Sequence, residues 1–310
     1  MTLIRTNAIT TPRALTLAAL FLLVPACAGD GGVHDDPRDD DPGDGDGSGG
    51  GDGDGDGDGD GDGDGDGGGS VTAFRVTDLD IRDPHIFIDA LGCQDVTASP
   101  LNEQLATSIG EDNGSPTDPE TPDGLLDISA LLLFSAANPA GEGGALEVIV
   151  GADCSAPAES TSCTRGAALA ITGEASNQAA GACEVILPDT TTGSYTPAPP
   201  VAEGPCFAAA DTAGELFLDP FVLTDAAVAA AWDGDPATGL VSGVVRGFMS
   251  ETDAEATVVE TPVGDLTVAS LLSGGDGSCA GGDARDTGPG GESGWYFYLE
   301  FTAAVVDYTE

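Results

Sequence analysis

The chain has 310 residues, with 54 Asp and Glu against 8 Arg, no Lys, and a formal charge of −46. Phosphate backbones repel a chain this acidic, so nucleic acid is excluded as a direct partner. The lack of lysine also removes Schiff-base chemistry and P-loop phosphate binding, while 40% apolar content still provides for a globular core.

Residues 1–27 read as a targeting segment. Arg5 and Arg13 form a basic start, and Ala14–Ala26 is an apolar run of 13 residues. That is too short for a permanent span of a ~30 Å hydrocarbon core but suits a signal peptide. The run ends in Val24-Pro25-Ala26-Cys27, which resembles the lipobox of bacterial lipoprotein precursors. The resemblance implies diacylation of the Cys27 thiol, cleavage before it and acylation of the new N-terminus. The protein would then be held by lipid at the outer membrane or cell surface.

Residues 28–70 contain 16 Asp, 19 Gly and one Arg, and their only large apolar residue is Val33. With nothing to bury, the cost of ordering is never recovered, and a disordered Gly/Asp tether is expected. Its r.m.s. reach is about 35–40 Å, lengthened by self-repulsion. The repeat from Gly51 to Asp66 matches the opening of a calcium loop in form. However, Gly63 stands where the bidentate acid belongs, so a solvated spacer is the better reading.

Residues 71–310 carry 38 acids against five arginines, a formal −33. Beyond Cys27 there are six cysteines: Cys93, Cys154, Cys163, Cys183, Cys206 and Cys279. In an oxidising compartment an even set implies up to three disulfides, with fifteen connectivities open. The favoured set closes the short polar loop with Cys154–Cys163 and brackets the Pro-rich stretch 188–205 with Cys183–Cys206. Cys93–Cys279 then joins the ends. No C-x-x-C occurs, which argues against zinc.

Short apolar runs bounded by Gly, Pro and Asp predict strands at 74–76, 86–88, 146–150, 168–171, 184–187, 216–218, 221–223 and 240–249. In the last run, 295–301, alternation places Trp295, Phe297, Leu299 and Phe301 on one buried face. Tyr296 and Tyr298 take the other face, where they either stack sugars or pack under a second layer. Helical signals are few: Leu101, Leu105 and Ile109 at i, i+4, i+8, the Ala-rich stretch 225–232, and a capping box at Thr252-x-x-Glu255. The expected fold is mainly β, an antiparallel two-sheet sandwich of jelly-roll type with a few short helices, in one domain.

The acidic loop 111–127 carries Asp118, Glu120, Asp123 and Asp127 before the apolar run 128–134. Oxygen ligands on a Gly/Pro loop are what calcium requires, and the stretch is similar to thrombospondin type-3 and dockerin loops. It departs from them in the late placing of Asp123 and in Ser129 at the twelfth ligand position. It is a candidate weak calcium site or a solvated turn. His85 is the one histidine of the domain, and G-x-S-x-G, H-E-x-x-H, Walker A and G-x-G-x-x-G patterns are missing. The function expected is non-catalytic: a membrane-anchored domain that binds or displays a cell-surface ligand, with calcium as a candidate cofactor. The alternatives are a secreted hydrolase using a carboxylate pair and a purely structural envelope component.

Overall fold

In a computed structural model, residues 71–112, 121–135, 141–160, 162–166, 169–190, 196–218, 220–261 and 264–310 are described. The signal segment, Cys27, the tether, and Asp118 and Glu120 of the acidic loop lie outside them.

The fold is mainly β with three short α-helices and one π-helical turn, Thr97–Asn102, among the described residues. Eight antiparallel strands follow one another in chain order: β1 (Thr72–Asp83), β2 (Ala130–Phe134), β3 (Gly143–Val150), β4 (Leu169–Gln178), β5 (Cys206–Ala209), β6 (Phe221–Asp233), β7 (Gly239–Ser250) and β8 (Ser293–Thr309). Each pairs with the next, and β8 returns to β1 from Ala73–Val306 to Asp83–Tyr298. The wall is therefore a closed up-and-down barrel without a free edge. The sandwich expectation is corrected here. In–out alternation is the same in the wall of a barrel and in one layer of a sandwich, so it does not distinguish them. Closure depends on bulges, which bend strands. They interrupt β1 between Val76 and Asp78 and the β6–β7 ladder between Thr224 and Ala227.

The inward side chains form one cluster. Phe74, Phe134, Phe207 and Trp232 fill one level, with ring centroids 4.9–5.8 Å apart. Trp295, Phe297, Leu299 and Phe301 of β8 are buried in the same cluster, as alternation predicted. The Trp295 indole N–H donates to the Ser273 carbonyl (3.1 Å). Helices α1 (Glu103–Gly110), α2 (Glu251–Ala256) and α3 (Val268–Leu271) add Ile109, Ala254, Val268 and Leu271 to it.

Outside the wall lie two further apolar layers. Residues 183–190 and 196–206, on either side of the Pro-rich stretch, form a strap across β5–β8 and bury Val185 and Ala202 against Tyr296, Tyr298 and Phe248. Residues 152–160 and 162–163 cover Leu131, Leu133 and Ile149. The Ala-rich stretch 225–232 is strand rather than helix. Its alanines alternate, with Ala226 and Ala230 facing the aromatic core and Ala227, Ala229 and Ala231 lying beneath the strap. Tertiary packing of small side chains between two layers overrides helix propensity here. Helix α2 also begins earlier than its capping signal suggested: Ser250 Oγ, not Thr252, accepts from the Asp253 N–H (3.1 Å).

All six described cysteines are paired, as Cys93–Cys279, Cys154–Cys163 and Cys183–Cys206. That is the favoured set among the fifteen.

Candidate functional site

The acidic loop comes first because the sequence placed its metal there. Asp112 closes it, its carboxylate accepting the N–H groups of Asp123 (3.1 Å) and Gly124 (2.7 Å). Asp123 accepts from the Leu125 N–H (3.0 Å), and Asp127 donates its N–H to the Glu111 carbonyl (3.2 Å). The turn is thus held by backbone amides. Among the described residues no three metal-ligating side chains converge. Asp123 and Asp127 are the two expected ligands that are described.

His85 is bonded to the Asp95 carboxylate (2.5 Å), which also accepts from the Thr97 N–H (3.0 Å). Burial alone would raise the Asp95 pKa, but the Thr97 and His85 hydrogen bonds outweigh it and hold the group below the usual carboxylate range. This arrangement fastens the hairpin 87–95 and presents no nucleophile.

The tyrosine pair is packed rather than open, which overturns the sugar-stacking alternative. Tyr296 and Tyr298 are buried under the strap. The Tyr298 hydroxyl accepts from the Leu187 N–H (3.1 Å) and meets Thr190 (2.5 Å). Tyr296 donates to Asp225 (3.0 Å). Arg246, almost wholly buried, donates to Asp225 (3.1 Å to its carboxylate) and to the Val185 carbonyl (3.1 Å), with its guanidinium over the Tyr296 ring. Burial raises the phenol pKa of both tyrosines.

Asp286 accepts the Tyr296 N–H (2.9 Å) and is pushed up to about 6, by burial first and then by the negative charge of Asp83. A carboxylate pair is the signature that the hydrolase alternative needs. Asp83, however, is only 2% exposed, so of the two only the half-buried Asp286 is open to solvent. The other arginines are paired within the chain, Arg165 and Arg285 at its surface: Arg82 with Asp80 and Glu300, Arg165 with Glu147, and Arg285 with Asp283 and Glu251. Arg75 is buried against the carbonyls of Ile109 (3.3 Å) and Ala158 (2.7 Å), and desolvation lowers its pKa. The positive charge of the domain is spent internally, which leaves a surface of uncompensated carboxylates.

The barrel lumen holds a small space with a wholly apolar lining. A cavity of about 30 Å³ lies among Val76, Leu132, Val148, Val245, Leu299 and Phe301 of the wall, and Leu216 and Leu218 also line it. No polar atom contributes to its lining. Such a space stays dry, because water would find no hydrogen-bond partner there. The two leucines belong to a short strand, Leu216–Leu218, which pairs with Phe221–Leu223 as a hairpin standing at the β5–β6 connection. The Leu-Phe-Leu and Phe-Val-Leu runs flanking Asp219-Pro220 were legible as strands, but nothing in their spacing showed that they face a lumen. Asp225 and Arg246 were likewise missed, because partners 21 residues apart leave no local pattern. No protein-family model, curated protein or solved structure matches this chain.

Proposed function

We propose that the chain is an exported lipoprotein. On this reading Cys27 carries the lipid, residues 28–70 hold the domain away from the outer membrane or cell surface, and the barrel serves as a non-catalytic binding or display module. The observation that carries the reading is the cysteine count. The three disulfides use six of the seven cysteines and leave Cys27 as the odd thiol. Disulfides mark an oxidising compartment, and the odd cysteine is the one at the end of the signal segment. A charged tether and a surface of free carboxylates favour a soluble, extended presentation and disfavour anionic partners.

Replacing Cys27 with Ser tests the anchor. The wild type is expected in the membrane fraction and the C27S variant in the soluble exported fraction. Retention of C27S in the membrane would overturn the reading.

A further inference from the structure

We propose that the barrel lumen is a gated binding site for a small uncharged apolar molecule, and that the paired strands Leu216–Leu218 and Phe221–Leu223 are its gate. The inference deepens the binding reading but stands on the barrel alone, independently of the anchor.

The hairpin differs from the rest of the wall in how it is held. Among the described residues, strand Leu216–Leu218 pairs along one edge, with Phe221–Leu223. The preceding two-residue strand, Thr212–Ala213, pairs instead with β4 at Gly173 and Thr172. The connection therefore changes partners between 213 and 216, and Gly214 stands at that change with φ +111. A Cβ at Gly214 would lie 3.2 Å from the Ala170 carbonyl oxygen, and its positive φ strains any other residue, so the position favours glycine.

On the other arm, the β6–β7 ladder shifts register between Thr224 and Ala227, and Asp225 has φ +48. A non-glycine residue in the left-handed region is strained and persists only where its surroundings over-determine it. Arg246 and Tyr296 supply that restraint through the Asp225 carbonyl and carboxylate. Two left-handed residues, Gly214 and Asp225, thus flank this strand pair, the arrangement of a flap between hinges.

The flap's side chains set what lies beneath it. Leu216 and Leu218 line the cavity, and Phe221 stacks on Phe297 with centroids 5.3 Å apart. Closed, the lumen retains about 30 Å³, which is too little for an organic guest. Deleting one leucine side chain from a core opens on the order of 150 Å³, enough for benzene. Swinging out Leu216 and the half-buried Leu218 would therefore bring the lumen to roughly 200–300 Å³, at the lower edge of small-molecule pockets. With no polar atom in the lining, a charged or hydrogen-bonding guest would lose its hydration without recompense. The occupant is therefore apolar and of one or two rings, or a short chain.

The test uses benzophenone, an uncharged two-ring photolabel, irradiated with the full-length protein and mapped by peptide mass spectrometry. Label is expected on lumen positions of β2, β3 and β8. Leu216→Ala with Leu218→Ala should raise the yield at least threefold, since less side chain must be displaced. Val148→Phe, which fills the lumen, should lower it by a similar factor. Leu218→Ala alone, at a half-buried position, serves if a buried variant does not fold, and should still raise the yield. Label confined to the outer surface, or unchanged by the Leu218 substitution, would overturn the proposal. Labelling should be the same with Cys27→Ser, so failure of the lumen site and failure of the anchor are read separately.

Discussion

Asp286→Asn isolates a carboxyl that the fold strongly perturbs. The folded-state pKa of Asp286 lies at about 6 against an ordinary 3.8, raised by burial and by Asp83. A carboxyl that binds its proton more tightly when folded stabilises the fold fully below about pH 4. That contribution is lost as pH rises through 6. Two pKa units correspond to about 3 kcal/mol, and partial exposure of the side chain reduces the effective figure to about 1–2 kcal/mol. Asparagine keeps an acceptor for the Tyr296 N–H but carries no charge. The stability of D286N relative to wild type should therefore rise by about 1–2 kcal/mol between pH 4 and pH 7.5. In a domain of this size that corresponds to roughly 2–8 °C in melting temperature. Taking the difference between the two proteins cancels the general repulsion among the other acids. Thermal melts of both proteins across that range provide the assay, and a difference that does not change with pH would refute the reasoning.

Ala229, fully buried between β6 and the strap, has no room for growth, so Ala229→Leu should cost about 1–3 kcal/mol in urea unfolding. Removing the Cys183–Cys206 bridge, which spans 23 residues, should cost about 3 kcal/mol and expose the strap to limited proteolysis before the barrel. If the acidic loop holds calcium through Asp118, Glu120, Asp123 and Asp127, the protein should melt several degrees higher in millimolar calcium than in chelator, and coinciding melts would exclude the site.

The fold was legible wherever one residue's neighbours in sequence determine its environment. The alternation in 295–301 identified the buried face of β8 because a strand's period is visible within seven residues. The disulfides were legible because short loops and bracketed segments limit which cysteines meet. Closure was not, since the β1–β8 ladder joins residues more than two hundred apart and its bulges leave no mark on the pattern. The stretch 225–232 misled for a related reason. Alanine favours helix locally, but here it is selected by two layers pressing on the same strand. The flap fell between the two cases, its strands readable and its strained hinge at Asp225 dependent on Arg246 far along the chain. Of the proposed calcium ligands, the loop's composition could suggest oxygen donors but not that its amides would be met by Asp112.

The anchor is tested most directly by the mass of the mature protein's first peptide, isolated from membranes. The account predicts an N-terminus at Cys27 bearing a thioether-linked diacylglycerol and an N-acyl group, with the other six cysteines refractory to alkylation until reduced. An N-terminus upstream of Cys27, or an unmodified Cys27 thiol, would contradict it.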